Sequence, residues 1–113
     1  MSRSDRLERQ DSRRALLETE YEAELLAALN KAAAGSWGLF GHKADRAARA
    51  AWDPIVRDLC DRGQEIDRLR NDLGMEPFPL HSEFEASRGP VSPQAPGEPK
   101  QARAWLDRIA KSA

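Results

Sequence analysis

The chain has 113 residues, a third of them charged, and its 18 basic and 19 acidic side chains leave a net charge of −1. That length holds one small domain, and the balanced charge argues against a dedicated nucleic-acid binder, which carries a clear basic excess. No apolar run approaches the roughly 18–20 residues of a membrane-spanning helix, and the single cysteine, Cys60, excludes an internal disulfide.

Residues 5–34 read as one long helix, because Ala, Leu, Glu and Arg dominate and neither Gly nor Pro interrupts them. Leu17, Tyr21, Leu25, Ala28, Leu29 and Ala32 recur at three- and four-residue steps and form an apolar stripe, widened by Leu16, Leu26 and Ala33. Leu7 is the only large apolar residue before Ala15, so residues 1–14 are expected to be a frayed, charged extension of this helix. That charged start also lacks the apolar segment of a secretory signal, and the expected compartment is the cytoplasm. Gly35 supplies a left-handed stop.

The connection that follows, Gly35-Ser36-Trp37-Gly38-Leu39-Phe40-Gly41, places large apolar side chains between glycines. Two readings stand side by side: a plug over the hairpin end, or an exposed aromatic anchor for a partner. The string resembles short bacterial proteins, a resemblance that implies no activity.

Residues 44–73 form the second helical stretch. Asp53-Pro54 has the form of a helix start, yet the apolar phase Ala44, Ala48, Trp52, Ile55, Leu59 crosses the proline, which favours one helix kinked near Pro54. Ile55, Leu59, Arg62, Ile66, Leu69 and Leu73 then make a seam for a neighbouring helix. Arg62 interrupts that seam and is expected to snorkel or to pair with Glu18 or Glu22. Gly63 costs a helix about 1 kcal/mol relative to Ala, which points to a close helix approach. Gly74, with Pro77 and Pro79 beyond it, ends the stretch. Residues 15–74 therefore read as an antiparallel hairpin about 45 Å long.

Residues 75–98 carry a short third helix near 79–87, with Leu80 and Phe84 on one face, and a Pro-rich linker across 88–99. Residues 99–113 close the chain as an amphipathic helix bearing Ala102, Trp105, Leu106 and Ile109 on one face. The fold class expected is all-α. A bare hairpin leaves half of each stripe uncovered, so either the C-terminal helix, a second copy or another protein must cover it.

Chemistry is sparse. Glu18, Glu20, Glu22 and Glu24 alternate across opposite helix faces and do not converge. His42 with Asp45, and His81 near Glu83, fall short of a metal ligand set. Cys60 has no histidine close in sequence, and the loop glycines lack the context of a phosphate cradle. No catalytic, cofactor or metal residue is assigned. The expected function is non-catalytic protein–protein interaction with self-association as a homodimer, through Trp37, Leu39 and Phe40 and through Trp105, Leu106 and Ile109. The alternative is a nucleic-acid accessory role for Arg3, Arg6, Arg9, Arg13 and Arg14 together with the C-terminal cations, although residues 1–14 net only +2.

Overall fold

The computed structural model describes residues 2–41, 45–88 and 97–112. The fold is all-α, with helices α1 (Arg3–Ala33), α2 (Arg46–Asp72), α3 (Pro79–Ser87) and α4 (Glu98–Ser112), and no strand among the described residues. Most of the Pro-rich linker falls in residues 89–96, and His42 falls in 42–44; both lie outside the described residues.

Each long helix is punctuated by its own sequence. Ser2 caps α1 by accepting from the Asp5 amide, and Asp45 caps α2 by accepting from the Ala48 amide at 2.7 Å. At the far end of α1 the Gly35 and Ser36 amides donate to the Ala32 and Lys31 carbonyls, and Gly35 takes φ +115°. At the far end of α2 the Gly74 and Met75 amides donate to Asn71 and Arg70, with Gly74 at φ +74°. Both are Schellman closures, in which glycine adopts the left-handed backbone at no steric cost. Pro54 lies inside α2 and starts no new helix. The Ala50 carbonyl that it leaves without an amide is on an exposed residue, where water can serve it.

The two long helices pair antiparallel. Lys31 sits over the Trp52 ring, Glu24 meets Arg62, and Glu18 meets Arg70, so partners advance along α2 as they retreat along α1. The six stripe residues of α1 (Leu17, Tyr21, Leu25, Ala28, Leu29 and Ala32) are all buried. Leu16 is not part of the core; it is 59% exposed on the opposite side of the helix.

The α2 seam is shifted from its expected line. The buried residues are Trp52, Val56, Leu59, Gly63, Ile66 and Leu69, while Ile55 and Leu73 are half-buried. Gly63, rather than Arg62, occupies the central position. A Cβ on Gly63 would stand 2.4 Å from the His81 ring of α3, so the missing side chain is the socket into which that ring fits.

Both short helices cover the hairpin. Phe84 of α3 and Ala102 and Trp105 of α4 join the core, and α4 packs on α1. The cover that the hairpin requires is thus supplied by the chain itself.

Candidate interaction surfaces and buried polar centres

The loop and the C-terminal helix, read separately from the sequence, form one structure. Leu39 and Phe40 are fully buried, and the Phe40 ring lies 6.4 Å from Phe84 and 6.3 Å from Trp105 between centroids. The turn that places them there needs Gly38, whose φ is +132° and whose Cβ would stand 2.4 Å from the Trp52 ring. The Glu98 side chain, wholly buried, fastens the loop from below. Its Oε2 accepts from the Gly38 amide at 2.9 Å and its Oε1 from the Phe40 amide at 2.7 Å. Two charge-assisted bonds to backbone N–H groups offset the cost of burying the carboxylate. Arg88 Nε adds a bond to the Leu39 carbonyl at 2.8 Å, and Arg103 reaches the Ala33 carbonyl at the end of α1.

Among the residues singled out as partner anchors, Leu39, Phe40 and Trp105 are therefore spent on one another. Trp105 is buried beneath the Arg108 guanidinium, which stacks 4.4 Å from its ring. Trp37, Leu106 and Ile109 are half-buried at the rim. Trp37 packs over Gly97, where a Cβ would stand 2.9 Å from the indole.

A second buried centre joins α1, α2 and α3. His81 is 2% exposed, and its Nδ1 hydrogen-bonds the Tyr21 hydroxyl at 2.8 Å. Its Nε2 lies 2.9 Å from Glu85 Oε1 but out of line for a hydrogen bond, leaving an electrostatic contact. His81 thus turns to Tyr21 and Glu85 rather than to Glu83, which pairs with Arg108. Burial pushes the Tyr21 phenol well above its ordinary pKa, reinforced by Cys60 and Glu85. Burial also pushes the half-buried Cys60 thiol up, with Glu85 adding repulsion, so the thiol form is favoured. Among the described residues, no group of three metal-ligating side chains converges and no helix is long and apolar enough to cross a membrane.

Charged residues pair both within and between helices. Arg70 binds Glu18 through Nε at 2.9 Å and Nη2 at 3.0 Å, and Arg14 adds a third bond at 2.7 Å. Burial alone would raise the Glu18 pKa, but the two guanidinium partners outweigh it and hold the carboxyl below its usual range. Arg62 does not pair with Glu18 or Glu22. It hydrogen-bonds Glu24 and lies within 3.7 Å of Glu20 and 3.5 Å of Asp58. From the basic set, Arg13 is held by Glu65, Arg14 by Asp11 and Glu18, and Arg108 by Glu83.

Sequence reasoning passed over Glu98 and the Tyr21–His81 pair. Each joins residues about sixty positions apart, and no local spacing encodes such a meeting. The signals available were Gly63 and Gly38, glycines placed where a helix or an aromatic loop has to come close. Comparison with protein-family models, curated proteins and solved structures finds no match to this chain.

Proposed function

We propose that this chain is a non-catalytic helical interaction module that self-associates, with the first turns of α1 as its docking arm. One observation carries the reading. α2 ends at Asp72, two residues past the Arg70 that grips Glu18, whereas α1 continues back to Arg3. Apart from half-buried Gln10, residues 3–13 are exposed, and Leu7 stands there in phase with the buried stripe. Helical turns that bury no apolar face are marginal in water, and a second copy laid along them would supply the missing burial. Trp37, Leu106 and Ile109 are the half-buried apolar residues from the expected anchor sets that remain at the surface for the same purpose.

The test is light-scattering mass on a sizing column, with the intact chain and a Leu7→Asp variant at several concentrations. The expected result is a dimer for the intact chain and a monomer of equal helix content for the variant. A monomer for both would overturn the reading, as would a dimer unaffected by Leu7→Asp.

A further inference from the structure

α4 sits in the molecule as a ligand sits in a groove. Its first residue, Glu98, is wholly buried, and its carboxylate accepts from the Gly38 amide at 2.9 Å and the Phe40 amide at 2.7 Å. The turn at Gly38, φ +132°, aims both amides at one point, which is how backbone N–H groups build a seat for an anion. Four residues on, Ala102 is fully buried, and three further on Trp105 is buried beside Phe40, with ring centroids 6.3 Å apart. Just ahead of Glu98, Gly97 leaves room for the Trp37 indole, which stands 2.9 Å from where a Cβ would be. The groove thus reads four positions: no side chain, a carboxylate, a methyl and an indole, the last three at i, i+4 and i+7 of one helix face.

We propose that the groove formed by α1 and the Gly38–Phe40 loop is a helix-recognition site that takes the α4 of a second copy in place of its own. Glu98 meets the loop across about sixty positions of sequence, and Arg103 meets the Ala33 carbonyl at the end of α1. Contacts so distant in sequence form equally well with an α4 from another molecule. Residues 88–97 join α3 to α4, and ten residues of extended chain reach about 33 Å, enough to seat α4 on a neighbour. Exchanging identical contacts is nearly neutral in energy, which makes it a low-cost route to a dimer. The seat within one chain is also imperfect. Gln101 Oε1, in the first turns of α4, is buried with no donor among the described residues, and Leu106 and Ile109 are only half-buried. This route to self-association is separate from the α1 arm, and it adds a rule for what the groove accepts: Gly-Glu-x3-Ala-x2-Trp, as in Gly97, Glu98, Ala102 and Trp105.

Two full-length chains test this, both carrying Leu7→Asp so that pairing through the arm does not contribute. One has a spoiled ligand, Trp105→Ala. The other has a spoiled groove, Gly38→Ala, whose Cβ would meet the Trp52 ring. In an exchanged pair one intact groove receives an intact α4, which neither chain achieves alone. The expected result on mixing is a one-to-one complex of dimer mass by light scattering, with a urea midpoint above that of either chain by itself. A variant that is unfolded alone is read by the recovery of its helix signal on mixing. A fluorescent peptide of residues 97–113 is the second probe, added to the Trp105→Ala chain. It should bind saturably, and its Glu98→Gln form should bind at least about tenfold more weakly, because one charge-assisted bond is lost and an amide is left unpaired. Mixed chains that stay separate overturn the exchange. A peptide that fails to bind, or that binds equally well with Gln, overturns the groove.

Discussion

Replacing Glu98 with Gln separates the loop clasp from the packing around it. The two side chains have nearly the same shape, so the aromatic contacts of Phe40, Phe84 and Trp105 are retained. Gln keeps one acceptor oxygen and turns an NH2 group toward a backbone N–H that Glu98 now serves. The bonds at stake are the 2.9 Å contact from Gly38 and the 2.7 Å contact from Phe40, both buried. Losing one charge-assisted bond and leaving a buried donor unpaired costs about 2–3 kcal/mol. Truncation to Ala, which strands both amides, costs about 2–6 kcal/mol, at about 1–3 kcal/mol for each unpaired donor.

Urea unfolding followed by circular dichroism reads this directly. With a slope of about 1.5–2 kcal/mol per M for a chain of this size, the Gln variant should unfold about 1–2 M earlier. Hydrogen exchange at the Gly38 and Phe40 amides should quicken more than exchange in the middle of α1. Glu22→Gln, on an exposed position of α1, is the control and should stay within about 0.5 kcal/mol. If Glu98→Gln unfolds with the same midpoint as that control and both loop amides stay protected, the reasoning fails: something other than the carboxylate holds the loop.

Three further outcomes follow from the same geometry. Gly63→Ala should destabilise by about 1–3 kcal/mol despite the better helix propensity of Ala, because its Cβ meets the His81 ring; adding His81→Ala should recover part of the loss, and simple additivity of the two changes in urea midpoints would refute the socket. Deleting residues 99–113 should abolish cooperative thermal melting, since the loss of Trp105 alone costs about 3–5 kcal/mol in a small core; a sigmoidal melt whose missing helix signal matches only the deleted residues would show that α4 is dispensable. Glu18, held below its usual pKa by Arg70 and Arg14, contributes stability that is present above the ordinary carboxylate range and lost as pH falls through its folded value; Glu18→Gln should therefore flatten the acid side of a urea-midpoint profile, and an unchanged profile would refute the assignment.

What was legible in the sequence was whatever repeats locally. The α1 stripe recurs at three- and four-residue steps with large side chains at most of them, and all six of its members are buried. Helix ends were also legible, because a glycine stop acts within a few residues of itself, as Gly35 and Gly74 show. The expectation of a cover was sound in its physics, but the sequence could not choose among three candidates for it. That choice depends on where α4 meets the loop, and the deciding contact is Glu98 with the Gly38 and Phe40 amides, a pairing across about sixty residues.

The α2 seam shows where counting apolar side chains falls short. Such a count draws a line through Ile55, Leu59, Arg62, Ile66, Leu69 and Leu73, with Arg62 as an interruption to be explained. The observed line shares Leu59, Ile66 and Leu69 but passes through Trp52, Val56 and Gly63, and it has no interruption. A glycine contributes no apolar area of its own, so a count of side chains cannot see Gly63 as core, although its cost inside a helix points to a close approach. The space that Gly63 leaves open is filled by the His81 ring from α3, whose Nδ1 meets the Tyr21 hydroxyl on α1. Arg62, one residue earlier, falls on the flank of the stripe and meets Glu24, Glu20 and Asp58 there. Gly63 and Arg62 therefore have one explanation between them: the glycine seats α3 against the hairpin, and the resulting phase sends the arginine to the charged boundary between α1 and α2.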